Sequence, residues 1–386
     1  MALVIPLAGC GSRVTIVDDD VSGDGGGAAE AKEPRPPSPE TPAPKSCDGA
    51  YSLGAVRSIT PIGGGLAGLD VGTVIATKAE GFKIDGELVT DVDGGAALLL
   101  WLDERGEPVG DSLLGELVTP YDISRNDDGD LLLFVGGQTL GVSGGNESAP
   151  SRVLEVSSEG TPMWNYGAWH IRHVGVSSGG GAVFHQVADG LVTALDADGS
   201  VRWTQTATAN LSLDIDIQEV GAAVALAGPP ILLGELSSAS PVAVGFIDPV
   251  GDPRWLSGFD SLVHEIVIDD AGAYVYVALN GSPGVDLVQL DIHDGTERWR
   301  IALPGEGLPY LALDADDHVI VGRTDGSVAK IRMDGVLCAA HGSLEGVSVP
   351  PPDVFHDGDV AVDGAGHVYL AIPGDDAKLV VYAPSP

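Results

Sequence analysis

Six positions carry side chains that could do chemistry together: Asp122, His173, Asp214, Glu265, Tyr310 and Asp359. Each stands just before the apolar start of a short alternating run, and five of the six are ionisable groups of kinds that bind cations. Carboxylates from different segments that meet on one axis would make an oxygen-rich site for Ca²⁺ or another divalent cation, built from Asp122, Asp214, Glu265 and Asp359. A single His would let a softer metal join. Like charges held together would raise some of the carboxylate pKa values. Arg172, Tyr121 and His264 each lie one position earlier, His356 lies nearby, and the matching place in the first unit is the Gly-rich stretch 63–66. A plainer account competes with this one: strand entries are polar because loops meet water there, and an acidic chain places Asp at them.

Convergence needs a repeating scaffold, and the sequence contains one. Leu287–Ile292 alternates, Asp294-Gly295 forms a tight turn, and a further strand carries Trp299 four residues after the Gly. Short alternating runs joined by Asp-Gly are the strongest local hairpin signal. The same arrangement precedes Trp164, Trp203 and Trp255, and the four Trp lie 39, 52 and 44 positions apart. Periods of this size with no helical unit imply radial or solenoid β architecture.

Laid on that template, seven units start near Leu66, Ile123, Val174, Ile215, Ile266, Leu311 and Val360. Their third strands are 96–102, 152–156, 191–195, 242–247, 287–292, 327–331 and 378–382, and the first, second and sixth units read as lacking the Trp at its place. Cys338 stands about where the sixth Trp would be. The last unit stops before its fourth strand, while a surplus strand, 50–60, precedes the first. The expectation is an all-β, seven-bladed β-propeller of four-stranded blades, the N-terminal strand completing the last blade and leaving only short, protected edges.

The runs Val192–Trp203 and Tyr274–Trp299 resemble the PQQ-like and related β-propeller repeats of bacterial exported proteins. That resemblance implies a fold, not a reaction, and many proteins with such repeats bind no quinone and serve as docking platforms.

A formal charge of −37 and a pI near 4.2 leave no basic stripe for nucleic acid or for an anionic membrane surface. Gly (55) and Pro (26) are frequent, which suits many short strands and turns, and no run of about 20 apolar residues crosses a bilayer.

Residues 11–47 form an acidic, Gly- then Pro-rich tether, and 48–386 the folded domain. Residues 1–10 end in Leu7-Ala8-Gly9-Cys10, which resembles the lipobox of bacterial lipoproteins. That resemblance implies a lipid-modified Cys10 and, with Gly11 following, passage to the outer membrane. The nine residues before Cys10 carry no positive charge and are short for a signal, as a start placed downstream of the true one would leave them. The two remaining cysteines, Cys47 and Cys338, invite a disulfide in an oxidising compartment, unless Cys338 is a small buried hydrophobe.

Several motif matches are turns. The Gly-x-Ser-x-Gly patterns at 175–179 and 141–145 both lie in Gly/Ser-rich turns with no strand-to-helix context. Asp91–Gly94 and Asp196–Gly199 lack the closing Glu of a calcium loop. The aromatic, His-rich stretch 164–173 fits packing between blades better than a pocket.

The expected function is an exported, lipid-anchored, monomeric binding or scaffold module without catalysis, engaging a protein or small ligand. The alternative is a propeller enzyme, such as a quinone- or metal-dependent dehydrogenase or a lyase.

Overall fold

The structure, a computed structural model, describes Cys47, the strand segments between 52 and 136, and most residues of 151–345, 359–372 and 378–385. Residues 1–46, and with them Cys10 and nearly all of the tether, lie outside the described residues.

Among the described residues every regular element is a β-strand, and the strands fall into successive four-stranded antiparallel sheets, one of them extended to six strands, besides a small hairpin of Lys83–Ile84 with Glu87–Leu88. Sheet 1 is built from Gly65–Asp70, Thr73–Thr77, Ala97–Leu102 and Pro108–Gly115. Sheet 2 has Thr119–Arg125, Leu131–Gly136, Ser151–Val156 and Pro162–Ala168. Sheet 3 has Ile171–Val176, Ala182–Gln186, Leu191–Leu195 and Val201–Thr208. Sheet 4 has Leu211–Gln218, Gly221–Ala227, Val242–Ile247 and Pro253–Phe259. Sheet 5 has Val263–Ile268, Tyr274–Gly281, Gly284–Asp291 and Glu297–Leu303. Sheet 6 has Pro309–Leu313, Val319–Arg323, Val328–Ile331 and Leu337–His341. Sheet 7 has Asp359–Val362, Val368–Ile372 and Lys378–Ser385, and its fourth strand is the N-terminal Ser52–Pro61, antiparallel to Lys378–Ser385.

These strands form where they do because the sheets whose side chains are described bury both faces against their neighbours. Middle strands such as Ala182–Gln186, Val242–Ile247 and Val319–Arg323 are buried along their whole length and read as near-continuous apolar runs. Outer strands such as Glu297–Leu303 meet water and keep a mixed pattern. Phe246, Trp255, Ile266 and Val277 form the shared core of sheets 4 and 5. Tyr276, Leu287, Val321 and Ile331 do the same for sheets 5 and 6, and Tyr310, Val328, Leu370 and Tyr382 for sheets 6 and 7.

The Trp residues tile neighbouring sheets together. Trp164 Nε1 donates to Ala197 O (2.8 Å), Trp255 Nε1 to Ile292 O (2.6 Å) and Trp299 Nε1 to Met333 O (2.9 Å), each acceptor lying in the next sheet's third-to-fourth-strand turn. Each ring lies over the glycine of that turn: Trp164 over Gly199, Trp203 over Gly251, Trp255 over Gly295 and Trp299 over Gly335. A Cβ on Gly295, whose φ is +68°, would stand 2.6 Å from Trp255 Cε3. Gly295→Ala is therefore expected to cost about 2–4 kcal/mol, from left-handed strain plus overpacking. Gly342→Ala, whose Cβ would meet nothing within 4 Å, should change stability by less than about 0.5 kcal/mol. Equal urea midpoints for the two variants would contradict this packing account.

Two sequence expectations change. The second sheet does carry its Trp, Trp164, on its fourth strand opposite Glu155. In sheet 6 the register that sets Gln289 opposite Trp299 sets Lys330 opposite Ala339, so Ala339 and not Cys338 holds the Trp position. Side chains alternate along a strand, so Cys338 faces away from the turn that a Trp would cover. There it is bonded to Cys47, with the Cα atoms 5.3 Å apart.

The sequence also did not announce a hairpin, Ile231–Leu233 with Leu236–Ser238, inserted between the second and third strands of sheet 4. It extends the outer edge of sheet 3 through Ala207↔Leu233 and Thr208↔Leu232.

Candidate functional site

Asp122, Arg172, His173, Asp214, Glu265, Tyr310 and Asp359 all lie on the first strand of their sheets, and Asp122, Asp214, Glu265, Tyr310 and Asp359 pair at comparable places with their second strands. In sheets 1 to 5 that strand is irregular at one comparable place: between Leu66 and Gly68, Pro120 and Asp122, Ile171 and Val174, Ser212 and Asp214, and Val263 and Glu265. A bulge re-aims the side chain at which it occurs. The candidate residues follow the bulges in sheets 2, 4 and 5, and Arg172 and His173 lie within the one in sheet 3. The side chains of Asp122, Arg172 and His173 lie outside the described residues.

The described members stitch first strands to one another. Asp214 Oδ1 accepts its own strand's Ile215 N–H (2.8 Å), and Oδ2 accepts the N–H of Ile266 in the next sheet (2.6 Å). Asp216, two residues on and therefore on the same face, repeats this with Ile217 (2.8 Å) and Ile268 (2.6 Å). Asp359 Oδ1 likewise accepts the Val360 N–H at 2.7 Å. The His264 ring meets Tyr310 edge-on with centroids 5.6 Å apart, joining sheets 5 and 6. Burial lowers the His264 pKa to about 4 against the opposing pull of the Pro309 carbonyl, so the ring is neutral. Among the described residues no group of three His, Cys, Asp or Glu side chains is arranged to hold a metal ion. Asp214 already accepts two N–H groups, and no chemistry is routed through a cation.

Buried polar chemistry lies instead at the far ends of the first strands, in turns the sequence analysis did not single out. Asp269 is fully buried; Oδ1 accepts the N–H groups of Ala273 and Tyr274 at 2.7 Å each, and Oδ2 has no hydrogen-bond partner. Burial raises its pKa to about 6, partly opposed by those N–H groups and reinforced by the charges of Asp317 and Asp270. Asp216 is pushed up to about 7, chiefly by burial. A carboxyl whose folded pKa is raised supports folding fully below its unfolded value, and that support is lost as pH rises through the folded value. Asp269→Asn keeps Oδ1 and removes the charge. It is therefore expected to stabilise the domain at pH 8 by about 1–3 kcal/mol, the gain shrinking as pH falls below about 6 and vanishing below about pH 4. Urea unfolding of both proteins across that range reads this out, and a gain independent of pH would contradict it.

In sheet 6 the next such turn holds Asp314 and His318, met by Lys330 from the third strand, and in sheet 7 the equivalent turn holds Asp363 and His367. The shared signal is an Asp-x-x-x-His spacing immediately after the first strand, which is visible in the sequence.

No family model matches the chain, and neither does any curated protein. Solved structures do. The WD40 β-propeller domain of Doa1 aligns over 86% of this chain and 93% of its own, at a TM-score of 0.53 and 12% identity. The C-terminal WD40 domain of Sif2 aligns over 86% of this chain and all of its own, at 0.51 and 10%. BamB from Moraxella catarrhalis aligns over 84% and 85%, at 0.46 and 14%. At these identities the likeness shows the fold alone, and the fold is a β-propeller.

Proposed function

We propose that this chain is a seven-bladed, ring-closed propeller that acts as a non-catalytic binding module, exported and lipid-anchored at Cys10 through the tether 11–47. Closure is supported by the first strand of sheet 1 lying beside those of both sheet 2 and sheet 7, and by the pairing of Ser52–Pro61 with Lys378–Ser385. Export is supported by the Cys47–Cys338 disulfide, a bond that persists in oxidising compartments.

The observation that carries the binding role is an asymmetry between the two rims. In every sheet the turn joining strands one to two, and in sheets 1 to 6 that joining strands three to four, leaves from one rim. The connections joining strands two to three, and each sheet to the next, leave from the other. That second rim has the long connections: 78–96, 137–150, 228–241 and 342–358. The first strands begin there, so Asp122, His173, Asp214, Glu265, Tyr310 and Asp359 lie toward that rim. Long connections on a rigid scaffold are where binding surfaces are built.

The partner is a basic protein segment. The described arginines of the outer strands and turns are paired in place, Arg202 with Asp196, Arg254 with Asp248, Arg298 with Asp291 and Arg332 with Asp334, and the chain as a whole remains at −37.

Photo-crosslinking groups at Ser240 and Leu262, on the long-connection rim, should capture one discrete partner in the native envelope. The same groups at Val250 and Asp294, on the tight-turn rim, should not. Capture from the tight-turn rim alone would overturn the assignment.

A further inference from the structure

We propose that Arg323, on the long-connection rim of sheet 6, is a binding subsite for a carboxylate. Arg323 ends the second strand of that sheet, Val319–Arg323, and the turn after it packs against the connection 304–308 from sheet 5. Thr324 Oγ1 accepts the Leu308 N–H (3.0 Å), and the Thr324 N–H donates to Leu308 O (3.2 Å). Arg323 is only 4% exposed. Burial lowers its pKa and the charge of Asp325 opposes this, and a guanidinium stays protonated in either case.

A guanidinium offers five N–H donors in a flat fork, and here one nitrogen alone is engaged. Nη1 donates to Pro304 O (2.7 Å) and to Ser327 Oγ (3.3 Å). Nε is enclosed and has no hydrogen-bond partner, and Nη2, which is not enclosed, has none among the described residues. Nε and Nη2 lie along one edge of the fork, and two parallel N–H groups there match the two oxygens of a carboxylate. Asp325 is committed elsewhere: Oδ1 accepts the N–H (2.9 Å) and hydroxyl (2.6 Å) of Ser327, and Oδ2 the Ser343 hydroxyl (2.6 Å). Arg323 is thus a buried cation with no ion pair to a described carboxylate, whereas Lys330 in the same sheet meets Asp314. A carboxylate from outside would give the orphaned donor its acceptor and the charge its partner.

The cover is thin. The exposed Gly305, at φ +139°, passes so close that a Cβ on it would stand 2.2 Å from Nη1. A side chain at 305 would fill the space over the guanidinium, and glycine leaves it open. The chain's charge of −37 repels anions at long range, but salt screens that field beyond about 8 Å, so the fork itself decides binding. A monoanion suits a single guanidinium in so acidic a chain, because the second charge of a phosphate would meet no cation there.

The test titrates the full chain, labelled with ¹⁵N at arginine, with N-acetylglycine, acetate or chloride at equal ionic strength. The Arg323 Nε–H signal should shift saturably with both carboxylates, and neither with chloride nor with N-acetylglycinamide. Tighter binding of N-acetylglycine than of acetate makes the ligand a polypeptide chain end, and equal binding makes it a free small carboxylate. Arg323→Lys keeps the charge without the fork, and should weaken N-acetylglycine at least about tenfold by saturation-transfer NMR of the ligand. No saturable shift in the wild-type chain overturns the subsite, as does tighter binding of inorganic phosphate than of N-acetylglycine. Glu306 lies outside the described residues, and a shift seen only in Glu306→Gln would give the edge to that carboxylate and overturn the subsite as well. No partner protein enters the titration, so it can fail separately from the crosslinking at Ser240 and Leu262.

Discussion

Replacing Asp314 by alanine is expected to destabilise the domain by about 3–5 kcal/mol, among the largest effects of any single substitution in this chain. Lys330 Nζ lies 2.6 Å from Asp314 Oδ2, with both side chains about 95% buried or more. Oδ1 accepts the N–H groups of Asp316 (2.9 Å) and His318 (3.0 Å) and contacts His318 Nδ1 at 3.1 Å. Burial alone would raise the Asp314 pKa, but the hydrogen bonds from His318 and Lys330 outweigh it and hold the carboxyl below the usual carboxylate range. Its contribution is therefore present above the unfolded pKa and lost as pH falls through the folded one. Alanine leaves the Lys330 ammonium in the core with no countercharge, which is the costly half of a buried ion pair. The double variant Asp314→Asn with Lys330→Met removes both charges and should recover most of the loss, to within about 1–2 kcal/mol of wild type. Denaturant unfolding at pH 7 decides it: a single-variant cost under 1 kcal/mol would mean that water reaches Lys330.

What the sequence disclosed and what it hid divide along one physical line. Elements specified by neighbours in the chain were legible. The Leu290-Asp291 to Trp299 pattern works because strand, turn and strand are contiguous, and the third strands expected at 191–195 and 242–247 match the structure residue for residue. The pairing of the surplus strand with Lys378–Ser385 was also legible, since strand bookkeeping left both ends with one possible partner. Contacts made between sheets were not. The hairpin 231–238 pairs across to sheet 3, and no local pattern near Ile231 announces Thr208 as its neighbour. Asp214 read as a polar strand entry aimed at an axis, because nothing local reveals that the Ile266 N–H stands 2.6 Å from its carboxylate. The Asp-x-x-x-His turns were visible as letters, but their cations come from elsewhere: Lys330 from a third strand and Arg57 from the opposite end of the chain. The candidate ring was therefore legible as a register level and illegible as chemistry.

The complementary prediction concerns the two ends of the chain. Replacing Cys47 and Cys338 together by serine should lower stability by about 3–5 kcal/mol, because the bond closes a loop between residues 291 positions apart. The loss should not be spread evenly. Ser52–Pro61 is an edge strand with two irregularities in its pairing, between Leu53 and Val56 and between Val56 and Ser58, whereas Lys378–Ser385 is also paired to Val368–Ile372. Lys378–Ser385 is tied to sheet 6 as well, through the Tyr382 hydroxyl donating to Gly326 O and the Tyr382 ring against His341. Without the disulfide the N-terminal strand is thus the weakest-held part of sheet 7, and its amides should lose protection ahead of global unfolding. In the serine variant the overall unfolding midpoint should fall. If the midpoint stays at the wild-type value, pairing and side-chain packing alone retain the strand, and the cross-link contributes nothing to holding it.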